Sequence, residues 1–402
     1  MRIGIFTDQY YPDISGVVTS IKMLYEGLES LGHECFIFTS FSEKKIDKEI
    51  LDTIYSKKVI NFKGLKYPFK PLKGFRFSFF PGKFIKKIAE YKLDIIHVQT
   101  EYSISKIAIK ASKKLNIPIV HTLHTSWKDY MQYLFPHLDK GFHKQLLWLE
   151  RKWFTRPISK ASEIEIIPSK KILQDLSLYG MDKEVEVVPT GIELERFCEG
   201  SVNVETINEL KNSLGINDND FVFSYVGRTS REKNIEVIID AFSENFKDND
   251  SVKLLIVGGG PSFEDLINVA KKNNLKNNII FTDLIPWDKI PPYYRLSNVF
   301  ISASKTETQG LTYIESLASG TPALVQKDEV IEGVISEGFN GYIFDGVDDL
   351  KNKMAYLYEH RDEVENIRKN CYDSISKFSK EHFSKSILAI YEKAINNYNG
   401  KR

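Results

Sequence analysis

Two kinds of stretch alternate along this chain. Short apolar runs of strand length, such as RIGIF at residues 2–6, are followed by longer stretches in which apolar residues return at helical spacing. The first cycle reads strand, loop, helix, strand. RIGIF leads into the loop TDQYYPDISGVV, then a helix over residues 19–32 closed by Gly32 as a C′ glycine, then the strand HECFIFTS. The rhythm continues with a buried strand at 93–100, a helix at 103–116 and a strand at 117–125. It resumes at 221 with FVFSYV, a loop and a helix, and runs on through the strands VKLLIV, IIFT and VFISAS. Helices are expected over 287–298 and 313–319, and from Asp348 the chain reads helical and charged. Strands alternating with helices predict an α/β fold with parallel, doubly wound sheets. A chain of 402 residues is too long for one ordinary core, so two domains are expected. The polar stretch at 199–220 marks their boundary and gives domains at 1–200 and 201–380.

Composition adds less than charge does. The apolar fraction of 42% and charged fraction of 27% are those of an ordinary soluble protein. No apolar run reaches the roughly 18 residues of a transmembrane helix. The start, MRIGIFTDQYYP, lacks the basic head and cleavage site of a signal peptide, so a cytoplasmic protein is expected. Cys35, Cys198 and Cys371 lie far apart without a C-x-x-C, which argues against disulfides and a cysteine zinc site. The net charge of +1 hides a split: residues 1–180 hold 29 Lys and Arg against 18 Asp and Glu, and the remainder holds 26 against 36. The first half therefore suits an anionic partner. Within it, residues 62–92 carry nine basic residues and one acid, Glu90, interleaved with aromatics. Lys63, Lys66, Lys70, Lys73 and Arg76 beside these rings suit an anionic membrane surface. For Phe84 and Ile88, core packing is the better reading. No nucleic-acid motif accompanies the charge, so nucleic acid is not expected as a partner.

Candidate chemistry concentrates in the second half. The stretch KTETQGLTYIESLASG, residues 305–320, carries Glu307 and Glu315 around a Gln309-Gly310 turn. The turn lets backbone approach a ligand, and the following helix start suits phosphate. Two fixed acceptors beside an anion site are what a sugar joined to a diphosphate needs; either Glu alone would read as a surface carboxylate. Arg228 and Lys233 flank the loop after a strand and suit a diphosphate together, whereas each alone would read as a solvated charge. Gly16 precedes the first helix, where glycine admits a phosphate or serves the turn. The run Gly258-Gly259-Gly260 is incomplete as a dinucleotide signal and reads as a tight turn. His121 and His124 end a strand, the edge where such sheets bind ligands. His121 reads as packing. The aromatic segment 126–154 reads equally as an apolar acceptor groove or as helical core.

The segment E-T-Q-G-L-x-x-x-E-S-L-A-S-G-T-P resembles the donor-binding segment of retaining glycosyltransferases of the GT4 type. G-R-x-x-x-x-K-N and H-T-S-W-K-D-Y match two further motifs of that family, and the resemblance spans nearly the whole chain. It implies the GT-B fold: two facing Rossmann-like domains, the active site in the cleft between them, and a last helix at 381–402 returning to the first domain. It implies a UDP-sugar donor, most simply UDP-glucose, and no metal or other cofactor. Arg228 and Lys233 would hold the diphosphate, Glu307 the sugar hydroxyls and Glu315 the ribose. Gly310 and Leu311 would lie at the phosphates, Leu284 and Ile285 at the base, and His124 beside the sugar and the attacking hydroxyl. The family's P-x-x-G-G loop implies that Gly16 lies near the donor phosphates. P-x-I-S-G-V-V-T-S looks like the subset that glycosylates diacylglycerol, which implies a lipid acceptor and a place on the inner face of the membrane. A cell-envelope polysaccharide transferase and a non-catalytic membrane-binding protein are the alternatives.

Overall fold

A computed structural model describes residues 1–11, 15–40, 58–62, 64–66, 76–77, 81–126, 140–176 and 183–401. They divide into two compact units, Met1–Ile192 with Lys380–Arg402, and Glu193–Ser379.

The first unit holds β1 (Arg2–Phe6), β2 (Glu34–Thr39), β3 (Val59–Asn61), β4 (Leu65–Lys66), β5 (Arg76–Phe77), β6 (Ile95–Val98), β7 (Ile119–Thr122), β8 (Ile164–Ile167) and β9 (Val185–Val187). Its main sheet has the order β3-β2-β1-β6-β7-β8-β9, with every pair parallel. Ile3 of β1 lies between Cys35 and Ile95. Such strands are apolar on both faces because helices cover both. The strand order reverses beside β1, which puts the switch point at the carboxyl ends of β1 and β6. β4 and β5 form a separate antiparallel ladder within the basic aromatic stretch, pairing Leu65 with Phe77. Lys63, Lys70 and Lys73 lie outside the described residues, and only the backbone of Lys66 and Arg76 is described.

The helix Gly16–Ser30 starts where the Ser15 hydroxyl accepts from the Val18 amide at 3.3 Å. Gly32 follows its end with φ +82°, a left-handed position that suits glycine. The chain's last helix, Lys380–Gly400, packs against it. A Cβ at Gly27 would sit 1.9 Å from the Ser384 hydroxyl oxygen, so this crossing requires glycine. The first unit is thus closed by the far end of the chain.

The second unit holds β10 (Phe221–Val226), β11 (Val252–Val257), β12 (Ile279–Phe281), β13 (Val299–Ser302), β14 (Ala323–Gln326) and β15 (Gly341–Phe344). All are parallel in the order β12-β11-β10-β13-β14-β15, the Rossmann sequence of strands. Its switch point lies at the ends of β10 and β13. The polar stretch near residue 200 contains the helix Val204–Leu214, which buries none of its residues and is capped by Asn203. The helix expected over 287–298 is a 3₁₀ turn, Trp287–Lys289, followed by a short helix, Pro291–Arg295. Two consecutive prolines lack the amides a continuous helix needs, so the helix restarts at Pro291. No described helix is long and apolar enough to cross a membrane.

Candidate functional site

The second unit brings Lys233 and Glu307 together. The ammonium of Lys233 donates to Oε1 of Glu307 at 2.5 Å, and both side chains are largely buried. Each charge offsets the desolvation of the other. Asn234, in the left-handed region at φ 51°, donates its side-chain amide to the Ala303 carbonyl at 3.1 Å and ties the loop after β10 to the end of β13. That tie is why residues 74 apart in sequence meet at the switch point. Arg228 is exposed, and its guanidinium pairs with Glu232 at 2.7 Å, a second carboxylate that also accepts from the Ser230 hydroxyl at 2.5 Å. The Tyr225 hydroxyl donates to the Arg228 carbonyl at 2.9 Å and braces the loop from below. A Cβ at Gly258 would lie 2.2 Å from the Gly227 carbonyl oxygen, so the glycine run lets two loops touch backbone to backbone.

Glu315 lies in the helix Leu311–Ala318, which starts from Gly310 at φ +74°. It is 6% exposed, which removes the surface-carboxylate reading. The Trp287 indole N–H donates to Oε1 at 3.1 Å and the Tyr294 hydroxyl donates to Oε2 at 3.0 Å. Burial pushes the Glu315 carboxyl up to about 7, against the pull of these two donors. Trp287 in turn lies under the Arg196 guanidinium, 4.5 Å from the ring centre. Leu284 is exposed and Ile285 half-buried beyond β12, and the Leu284 amide donates to the Asp283 carboxylate at 2.6 Å. Sequence reasoning missed Trp287 and Tyr294, because nothing in their local pattern marks them as carboxylate partners.

In the first unit, His124 follows β7 and Gly16 opens the first helix, exposed. Pro12 of the same loop and the segment 127–139 lie outside the described residues. Gln99, just past β6, accepts from Nε2 of His124 at 2.6 Å. A carboxamide oxygen only accepts, so Nε2 carries the proton and Nδ1 is the lone-pair nitrogen. Burial, reinforced by His121, pushes the His124 imidazole down to about 3, so it is neutral at neutral pH. The Gln99 amide reaches His97 at 3.0 Å, and His97 meets Thr122 and the Tyr391 hydroxyl, each at 2.7 Å. The last helix of the chain is thereby linked to His124 through Tyr391, His97 and Gln99. Asp8, past β1, accepts from the Ser103 and Ile104 amides at 3.1 and 3.2 Å and pins that strand end to the start of the helix Ser103–Leu115.

His121 is more than packing. It is fully buried, with Nδ1 2.7 Å from Glu165 and Nε2 3.3 Å from Glu101. Burial alone would drive it neutral, but the two carboxylates hold it protonated, well above its ordinary value. The aromatic segment divides: Leu147 and Phe154 pack against the core residues Tyr102, Leu123, Ile167 and Ile172, as the helical-core reading had it.

Two Rossmann-type sheets, each with polar residues gathered at its switch point, are the architecture of the GT-B fold. Anabaena HepE, crystallised with UDP, shares this fold at a TM-score of 0.75 and 17% identity, covering 98% of this chain and all of that one. The chain belongs to the GT4 glycosyltransferases, and it is a transferase enzyme. The profile "Glycosyltransferase Family 4" matches residues 14–196 and "Glycosyl transferases group 1" matches residues 206–374. An alpha-monoglucosyldiacylglycerol synthase of Acholeplasma laidlawii is 35% identical over all of this chain and 99% of its own length. Another, from Streptococcus pneumoniae, is 36% identical over 98% of this chain and 86% of its own length.

Proposed function

We propose that this transferase moves glucose from UDP-glucose to diacylglycerol at a membrane surface, making a monoglucosyl lipid. The observation that carries the reading is full-length identity above one third to two synthases of that name. The Lys233–Glu307 pair and the two-donor hold on Glu315 support it as parts of a donor site. In this reading the diphosphate lies against Lys233, Arg228 and the start of the helix Leu311–Ala318, with Gly310 and Leu311 supplying backbone amides. Glu307 accepts from glucose hydroxyls and Glu315 from the ribose diol. Leu284 and Ile285 face the base, and Gly16 approaches the phosphates. The bond from the anomeric carbon to the diphosphate breaks and UDP leaves with the electron pair. The acceptor oxygen then bonds that carbon from the same face, and its proton passes to the departing phosphate. The cations stabilise the negative charge that builds on UDP, and no metal takes part. His124, neutral, orients sugar and acceptor. Lys63, Lys66, Lys70, Lys73 and Arg76 meet anionic headgroups, and the enzyme works on the inner face of the membrane.

The test is UDP release from UDP-glucose in micelles of anionic lipid, with and without diacylglycerol. Release that requires diacylglycerol, with a glycolipid product, is the expected result. Release only with a water-soluble sugar acceptor would move the assignment to polysaccharide synthesis. UDP binding without turnover on any acceptor would make the chain a non-catalytic binder.

A further inference from the structure

The helix Lys140–Glu150 and the π turn Arg151–Thr155 that continues it have two apolar faces. The inner face, with Leu147 and Phe154, packs on the first unit's core. The outer face leaves Phe142, Trp148, Leu149 and Trp153 exposed by 44, 55, 43 and 56%. Phe142, Leu149 and Trp153 recur at i, i+7 and i+11, so they line one side of the helix. Trp148 joins that side, because the Lys152 ammonium lies over both indoles, 4.7 Å from Trp148 and 5.6 Å from Trp153. A face this apolar is ordinarily covered, and isolated exposed rings would need no explanation.

Charge decides what covers it. Residues 140–160 hold six Lys and Arg and a single carboxylate, Glu150, which is buried. Lys144, Lys152, Arg156 and Lys160 are exposed around the rings, and Lys106 of the neighbouring helix stands over Phe154. Tryptophans and a phenylalanine set among lysines, with no exposed acid between them, match the interface of a bilayer containing anionic lipid. There the rings settle at headgroup depth and the ammoniums reach the phosphates. We infer that the face formed by Phe142, Trp148, Leu149 and Trp153 docks the enzyme on an anionic lipid surface. In the sequence these residues lie well beyond the basic stretch at 63–76. This docking rests on the proposed function only in that the acceptor lies in the same membrane; its geometry stands without that.

The test is flotation of the full chain with vesicles of phosphatidylglycerol and phosphatidylcholine. Trp148→Ser with Trp153→Ser is expected to lower partitioning about tenfold while the thermal midpoint and UDP affinity stay at the parent values. Wild-type binding should also fall in about 0.5 M salt, where surface charge is screened. Lys144→Glu with Lys160→Glu provides a second variant that keeps every ring, with the same loss expected. Unchanged partitioning in both variants overturns the proposal. So does a change in sedimentation coefficient with partitioning intact, which would make the face a contact between copies of the chain. If the variants lose the vesicles but the parent never glycosylates diacylglycerol, the surface stands and the proposed acceptor falls.

Discussion

Glu315 is held by two donors and yet pushed up to about 7, because burial outweighs them. A carboxyl with a raised folded value keeps its proton while the unfolded chain has already ionised above 4.5. Its contribution to stability therefore declines as pH rises from about 4.5 to about 7, and is level above that. Donor binding runs the other way. Ribose hydroxyls donate best to the ionised form, so UDP affinity should rise with pH through about 7, and Glu315→Gln should flatten that profile. An affinity independent of pH in the parent would remove Glu315 from the donor site. Glu307 makes a different claim. Glu307→Ala is expected to cut turnover about a hundredfold or more, the scale of losing one group fixed against the transition state. It also strands the Lys233 ammonium, so Lys233→Ala in the same chain should cost less than it does alone. Normal turnover in Glu307→Ala would sink the catalytic assignment. The two carboxylates, with seven residues between them, were legible because the motif that carries them is local. The hands that hold Glu315 were not, since Trp287 and Tyr294 come from 28 and 21 residues earlier.

Strands showed in the sequence because a parallel strand covered on both faces is a continuous apolar run. The helix Val204–Leu214 was passed over although Val204, Ile207, Leu210 and Leu214 recur at helical spacing, because the polar residues between them made the stretch read as a linker and none of its side chains is fully buried. The crossing of the helices Gly16–Ser30 and Lys380–Gly400 is invisible locally, and one glycine decides it. Gly27→Ala places a methyl against Ser384 and should cost about 1–3 kcal/mol, read as a lower thermal midpoint. The strand ends make a second testable element. Gln99 accepts from His124, so Gln99→Glu puts a carboxylate against the imidazole and should lift its pKa from about 3 toward neutrality. The acid limb of the pH–rate profile would then move to higher pH, and the His124 ring signals would titrate with it. Gln99→Ala should lower turnover without that shift. If neither variant changes the profile, His124 is oriented by something else.

The two units are built differently from the chain, and this has a consequence for the whole molecule. Glu193–Ser379 is one continuous segment with its own parallel sheet and its own aromatic core, including Phe223, Phe242 and Phe300. Every residue proposed to contact the UDP part of the donor, except Gly16, falls inside it. The first unit joins the two ends of the chain, and the helix Lys380–Gly400 buries Ile387, Ile390, Tyr391 and Ala394. The three larger side chains are worth about 1.5–3 kcal/mol each when covered, a large share of the roughly 5–15 kcal/mol that keeps a domain folded. A fragment of residues 1–192 should therefore be insoluble, and should recover when residues 380–402 are fused back through a flexible linker. A fragment of residues 193–379 should unfold in a single cooperative transition and bind UDP within about tenfold of the full chain, a difference of about 1.4 kcal/mol left for the Gly16 loop. Calorimetric titration with UDP separates the outcomes. A folded fragment that fails to bind would show that the first unit carries an essential part of the donor site, and Lys233, Glu307 and Glu315 would no longer suffice to define it.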